Sequence, residues 1–347
     1  DYREPCGGYP HGTFLYVRAQ SVLALPHHDP FRVQPMTART RPRKAESQAV
    51  KLLVTACKEL LSERGEASLR TRAQATLAAY ARLNAEEQHQ FFQALQKRFA
   101  PDARRALAAA EAYARDRSSK NLRALTAATE PPRQELLRRL NRAPGGTRAI
   151  VSMREALLDA LRVDPDLAQV DDDFQHLLSS WFNPGFLQMV RVDWNTPAAL
   201  LEQLIRHEAV HAIRGWDDLR RRLQDDRRCF AFFHPVLPHA PLIFVEVALL
   251  AEMPAAVAPL LDVAGPKAHA HAYRTAVFYG ISNCEPGLRG VSLGNFLIKQ
   301  VALQLADEFA AITQFCTLSP IPGFRRWVDH VASGSASFAN HSQRTRD

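Results

Sequence analysis

"RGVSLGNFL", residues 289–297, is where the chain passes from a strand pattern into a helix pattern. Upstream, "YRTAVFYGIS" (273–282) carries the aromatic and β-branched residues of a strand. Downstream, Leu297, Val301 and Leu305 recur every four residues and predict a helix over about 293–309. "AITQFCTL" (311–318) predicts a further strand. The joining turn is rich in Gly, and its backbone amides can point outward with the helix dipole behind them. Such a turn binds phosphate. The candidate phosphate-binding residues are Arg289, Gly290, Val291, Ser292, Leu293, Gly294 and Asn295, with Arg289 and Lys299 as long-range attractants. Taken alone, a Gly-rich turn between strand and helix is more often only a turn.

Working outward, "CFAFFHPVL" (229–237) and "PLIFVEVALL" (241–250) are short β-rich runs bounded by prolines and predict an antiparallel pair. Before residue 183 the character is different. "NAEEQHQFFQALQKRF" (84–99) opens with Asn84 and has Glu87 three residues on, the chemistry of a capping box. Phe91, Leu95 and Phe99 follow on one stripe. "SMREALLDAL" (152–161) repeats the pattern with Ser152 and Glu155, then Leu157 and Leu161. "DDDFQHLLSSWF" (171–182) places three acids at a positive helix N-terminus, then Phe174, Leu177, Leu178 and Trp181 on one face. No strand pattern interrupts this half. The expected organisation is an N-terminal extension without regular period (1–44), an all-helical domain (45–183) and an α/β domain (184–347). The basic run after Met36 suggests that residue as a natural start, with 1–35 an artefact of gene calling.

The 347 residues are 46% hydrophobic, enough for a large core in about two domains. A formal net charge of +8 admits a polyanionic ligand such as a nucleotide. Most of the basic residues lie along helix-like segments, as on a solvated surface, and no nucleic-acid motif accompanies them. The five cysteines are odd in number and never form C-x-x-C. That argues for a reducing, cytoplasmic setting without a disulfide framework. No apolar run reaches the ~18 residues a membrane span needs.

His207, Glu208 and His211 match H-E-x-x-H, which on a helix would set two imidazoles one turn apart beside a carboxylate, as in zinc hydrolases. No third ligand follows at a suitable distance. The expectation is that no metal is bound.

In "FCTLSPIPGF" (315–324), two prolines flank Ile321 and make a rigid turn after a strand. Ser319 stands at its mouth. Physical reasoning alone leaves Ser319 as a cap for the helix that follows. The pattern around 289–297 is similar to the pyrophosphate turn of GNAT-type acetyltransferases, with Ser292 where a central glycine is usual. Taken together, "LLSSWFNPGFL", "EAVHAIRGWDDLRRRL", "GLRGVSLGNFLIK" and "TLSPIPGF" resemble the malonyl-CoA decarboxylase family, collinearly from about residue 45 to 327. The resemblance implies a helical oligomerisation domain followed by a GNAT-like catalytic domain. It also implies decarboxylation of malonyl-CoA to acetyl-CoA without a cofactor, a coenzyme A site at 289–299 and Ser319 as catalytic residue. In that family a histidine in a motif like N-P-x-x-N-F-H partners the serine, and the first histidine of H-E-x-x-H is not part of the pattern. Here "ASGSASFANHSQRTRD" does not match the N-P motif. The expectation is therefore an incomplete catalytic domain of low stability with little activity, unless His330 or His341 substitutes. A GNAT-type acyltransferase and a non-catalytic coenzyme A-binding remnant stand as alternatives.

Overall fold

The computed structural model describes residues 13–14, 45–208, 210–265, 267, 269–291, 293–318, 323 and 327–329. From residue 48 to 181 the chain is helical: α1 (Gln48–Ser62), α2 (Glu66–Tyr80), α3 (Ala85–Arg98), α4 (Ala103–Arg115), α5 (Ser119–Thr129), α6 (Pro132–Leu140), α7 (Gly146–Ala160) and α8 (Ala168–Trp181). The Asn84–Glu87 capping box closes the start of α3, and Phe91, Leu95 and Phe99 are buried as its stripe predicts. Two helix starts differ from the sequence expectation. Ser152 lies inside α7, which begins at Gly146 behind a left-handed Gly145 (φ 70°). The reason is that Ile150 and Val151 extend the apolar stripe back toward that glycine turn and are themselves buried. Helix α8 likewise begins at Ala168. Asp171 is in its first turn and pairs with Arg154, while Asp173, two residues further on, pairs with Arg133.

The remainder forms a mixed sheet with helices. Its strands are β1 (Thr13–Phe14), β2 (Gln188–Val192), β3 (Arg227–His234), β4 (Leu237–Leu250), β5 (Thr275–Asn283) and β6 (Gln314–Thr317), in the order β1-β6-β5-β4-β3-β2. Strands β2 to β5 pair antiparallel, whereas β6 runs parallel to β5 and β1 parallel to β6. Thr13 and Phe14 are the described part of the segment expected to lack regular structure; edge pairing with Gln314 and Phe315 holds them. Helices α9 (Ala198–His207) and α10 (Trp216–Arg222) connect β2 to β3, α11 (Ala258–Leu261) lies between β4 and β5, and α12 (Gly294–Glu308) joins β5 to β6. This is the expected helical domain followed by an α/β domain, with the predicted hairpin at β3–β4 in place.

Both faces of the sheet are covered, which explains the nearly continuous apolar runs of β3 and β4. On one face, Leu297, Val301 and Leu305 of α12 join Phe230, Phe232, Val245 and Phe278 in a core that is continuous with Ile150, Val151, Phe174 and Phe182 of the helical region. On the other, Leu201, Leu204 and Leu219 pack on Cys229, Ala231 and Phe244. Helix α4 is the exception to this economy, because none of its residues is buried.

Candidate functional site

The parallel pair β5–β6 positions the site. Its ladder runs from Thr275–Gln314 to Phe278–Thr317, and the last link is the Leu318 N–H donating to the Phe278 carbonyl (2.8 Å). Strand β5 continues to Asn283, still paired with β4, but among the described residues β6 no longer follows it. The register between β4 and β5 shifts at the same place: Val247 faces Phe278, Glu246 faces Gly280, and Tyr279 is the extra residue of a bulge. Bulges of this kind re-aim strands beside functional sites. Because β5 and β6 are parallel, their C-terminal ends and the start of α12 lie at one end of the sheet. Ligands of open α/β sheets collect at such an end. Leu318 is the last described residue before Ser319; Ser319 itself lies outside the described residues, as do His330 and His341.

Residues 286–288 make a single 3₁₀ turn. Arg289 is exposed, and Gly290 is left-handed (φ +83°), a conformation that favours glycine. The Val291 N–H donates to the Leu288 carbonyl (3.0 Å), so this amide, expected to face a phosphate, closes the turn instead. Ser292 lies outside the described residues. Leu293 is buried at the N-cap position, and among the described residues no side chain caps α12 there, so its first amides, at Gly294 and Asn295, have no intrahelical partner. Lys299 is exposed on the second turn.

Sequence reasoning missed what holds this turn. Arg154 of α7, 1% exposed, donates through Nη1 to the carbonyls of Gly287 (2.9 Å) and Arg289 (2.7 Å), while Asp171 accepts from its Nε and Nη2 (2.8 and 3.2 Å). Gln175 of α8 donates to the Gly290 carbonyl (2.9 Å), and Arg148 of α7 pairs with Glu285 (2.6 Å). A β-carbon at Gly287 would overlap the Val151 carbonyl.

The H-E-x-x-H segment lies on the opposite face, and it does not make the arrangement that zinc hydrolases need. Helix α9 ends at His207, so the two imidazoles are not one turn apart on a helix. Glu208 instead turns inward. Its Oε1 accepts from the N–H groups of Val210 and His211 (2.8 Å each), and its Oε2 accepts from the Ser282 hydroxyl on β5 (2.7 Å). Arg222 donates to the His211 carbonyl (2.7 Å), to Asp218 (3.1 Å) and to Glu246 (2.9 Å). The polar network therefore pins the 208–211 turn onto β5 beside the bulge.

Burial raises the Glu246 carboxyl to about 8, although the Arg222 guanidinium pulls against it. The unfolded chain ionises this group near 4.5, whereas the native state keeps its proton up to about 8. Native stability from this group is thus complete below about 4.5 and declines as pH rises through that window. In Glu246→Gln the loss of stability between pH 5.5 and 8, read from urea midpoints, should be smaller than in the parent protein. Parallel midpoint curves would contradict it.

Comparison with known proteins gives one answer. Residues 99–182 match the family model "Malonyl-CoA decarboxylase N-terminal domain", and residues 185–346 match "Malonyl-CoA decarboxylase C-terminal domain". The crystal structure of malonyl-CoA decarboxylase from Rhodopseudomonas palustris is 48% identical, covers 85% of this chain and 72% of its own, and superposes with a TM-score of 0.76. That from Agrobacterium vitis is 50% identical, covers 84% and 71%, and gives 0.77. Mitochondrial malonyl-CoA decarboxylase of Anser anser anser is 39% identical over 204 residues, 57% of this chain. The chain spans about two fifths of the length of the curated relatives it matches (40% and 42%). With two consecutive domain models and two solved structures in agreement, this chain belongs to the malonyl-CoA decarboxylase family.

Proposed function

We propose that the chain binds malonyl-CoA and releases acetyl-CoA and CO2. The observation that supports this reading is the coincidence, at one end of the sheet, of the start of α12, which no described side chain caps, and the C-terminal ends of the parallel strands β5 and β6, the second of which leads within two residues of sequence to Ser319. The coenzyme A diphosphate rests on the amides at the start of α12, around 293–295, with Arg289 and Lys299 drawing the phosphates in. The pantetheine arm runs toward the C-terminal ends of β5 and β6. Breaking the bond between the α-carbon and the carboxylate sends its electron pair toward the thioester oxygen as an enolate. The site must then donate hydrogen bonds to that oxygen and return a proton to the α-carbon. Ser319 is the hydroxyl assigned to the reacting group. No cofactor is required by this chemistry, and no helix among the described residues is long and apolar enough to cross a membrane.

Residues 184–347 form the catalytic domain in this reading, and residues 45–183 mediate assembly of a homo-oligomer. The support for assembly is the α4–α5 hairpin. Leu107 and Leu122 are 62% and 46% exposed, and Ala128 is the one buried residue of the two helices. Two helices with so little burial gain stability from a second copy.

Calorimetry should show malonyl-CoA binding that is weakened at least ~10-fold in Gly294→Val, where a β-branched side chain obstructs approach to the backbone. Whatever turnover the protein supports should yield acetyl-CoA and CO2 one to one, and none in Ser319→Ala. Unchanged affinity in a folded Gly294→Val would remove the site, and acyl transfer to an amine without CO2 would favour an acyltransferase. Sedimentation of Leu107→Glu should show a smaller assembly than the parent; an unchanged mass would move the interface elsewhere.

A further inference from the structure

We propose that α7 and α8 are part of the coenzyme A site, with Arg154 and Gln175 as positioning residues that aim the phosphate-binding turn. This rests on the assignment of the coenzyme A diphosphate to the start of α12. The turn makes three hydrogen bonds of its own: Leu288 N–H to Glu285, Arg289 N–H to Pro286 and Val291 N–H to Leu288. These fix its local shape but not its orientation relative to the sheet. Orientation comes from groups more than a hundred residues earlier in the chain.

Arg154 binds the carbonyls of Gly287 and Arg289, two residues apart, with one nitrogen. In a trans peptide the N–H points opposite to the carbonyl of the preceding residue. The Gly290 N–H therefore points away from Arg154, and the Gly290 carbonyl is in turn drawn to Gln175. Two consecutive peptide planes are thus set from the helical side just before Val291. Asp171 fixes the Arg154 fork through two further bonds, so the guanidinium cannot rotate without breaking an ion pair. Arg148 and Glu285 tie down the beginning of the same segment, and the Gly287–Val151 contact leaves no room for it to shift toward α7. The anchors cover residues 285–290, which is the whole approach to the amides that receive the diphosphate.

The role predicts a selective defect. A positioning error at the turn should weaken ligands that carry the diphosphate and spare those that lack it; a general loss of structure would weaken both. Supporting groups of this kind typically contribute 10–100-fold. The experiment compares coenzyme A with acetylpantetheine, measured by calorimetry on Gln175→Ala, Arg148→Ala and Arg154→Lys, with Gly294→Val as reference. In Gln175→Ala, at a half-buried site, coenzyme A affinity should fall about tenfold with acetylpantetheine binding and melting temperature unchanged. Arg154→Lys should show a larger selective loss if it folds; if it does not, Gln175→Ala and Arg148→Ala carry the test. Full coenzyme A affinity in both of those variants, or equal loss for both ligands, overturns the positioning role while leaving the site in place. Full affinity in a folded Gly294→Val overturns the site assignment itself, and the proposal with it.

Discussion

A guanidinium buried as deeply as that of Arg154 is tolerable only when its donors are filled. Removing such a charge from water costs several kcal/mol, and the bonds around it must offset that cost. Asp171 supplies the counter-charge from α8, and two carbonyls of the α12 approach supply the rest. The partners come from a helix pair and from a turn more than a hundred residues later. The interaction therefore makes the helical region and the sheet interdependent, and the apolar core that runs without a break from Ile150 and Phe174 to Leu297 and Phe278 is its hydrophobic counterpart. Truncating Arg154 to an apolar residue would leave Asp171 and both carbonyls unpaired.

The opposite face repeats the device. Glu208, Arg222, Asp218 and Glu246 are each 6% exposed or less, and together they fix the 208–211 turn beside the β5 bulge. Gly280 follows from this packing, since a β-carbon there would overlap the Glu246 carboxylate. The end of the sheet that carries the start of α12 is thus flanked on both sides by buried polar networks, with an apolar sheet between. Under the proposed function, preorganisation of this kind would let the site meet a developing enolate without rearranging.

Much of this was legible in the residues. The strand at 275–283, the helix stripe Leu297–Val301–Leu305, the β3–β4 hairpin and the α3 capping box all follow from period and composition, because each is a local preference that burial reinforces. The helix starts at Gly146 and Ala168 do not follow, because the capping pattern at Ser152 and the acid run from Asp171 mark later starts, while tertiary burial extends both helices backwards. H-E-x-x-H suggested a helical face, but α9 stops one residue into the motif, where Glu208 gains three hydrogen bonds by leaving the helix. The braces left a faint trace. Arg154 interrupts the stripe from Ile150 to Leu157, and Glu246 is a lone acid in "PLIFVEVALL". A charge placed among core positions announces a buried partner but cannot name it, since the partner is set by topology.

In the proposed function a coenzyme A thioester lies across the end of the sheet that carries the start of α12 and the C-terminal ends of β5 and β6. The most direct measurement is a crystal structure of the protein with acetyl-CoA bound. The diphosphate should lie within about 2.7–3.2 Å of amide nitrogens at 293–295, with the thioester reaching the C-terminal end of β5. A diphosphate held elsewhere, with the start of α12 facing only solvent, would contradict the account.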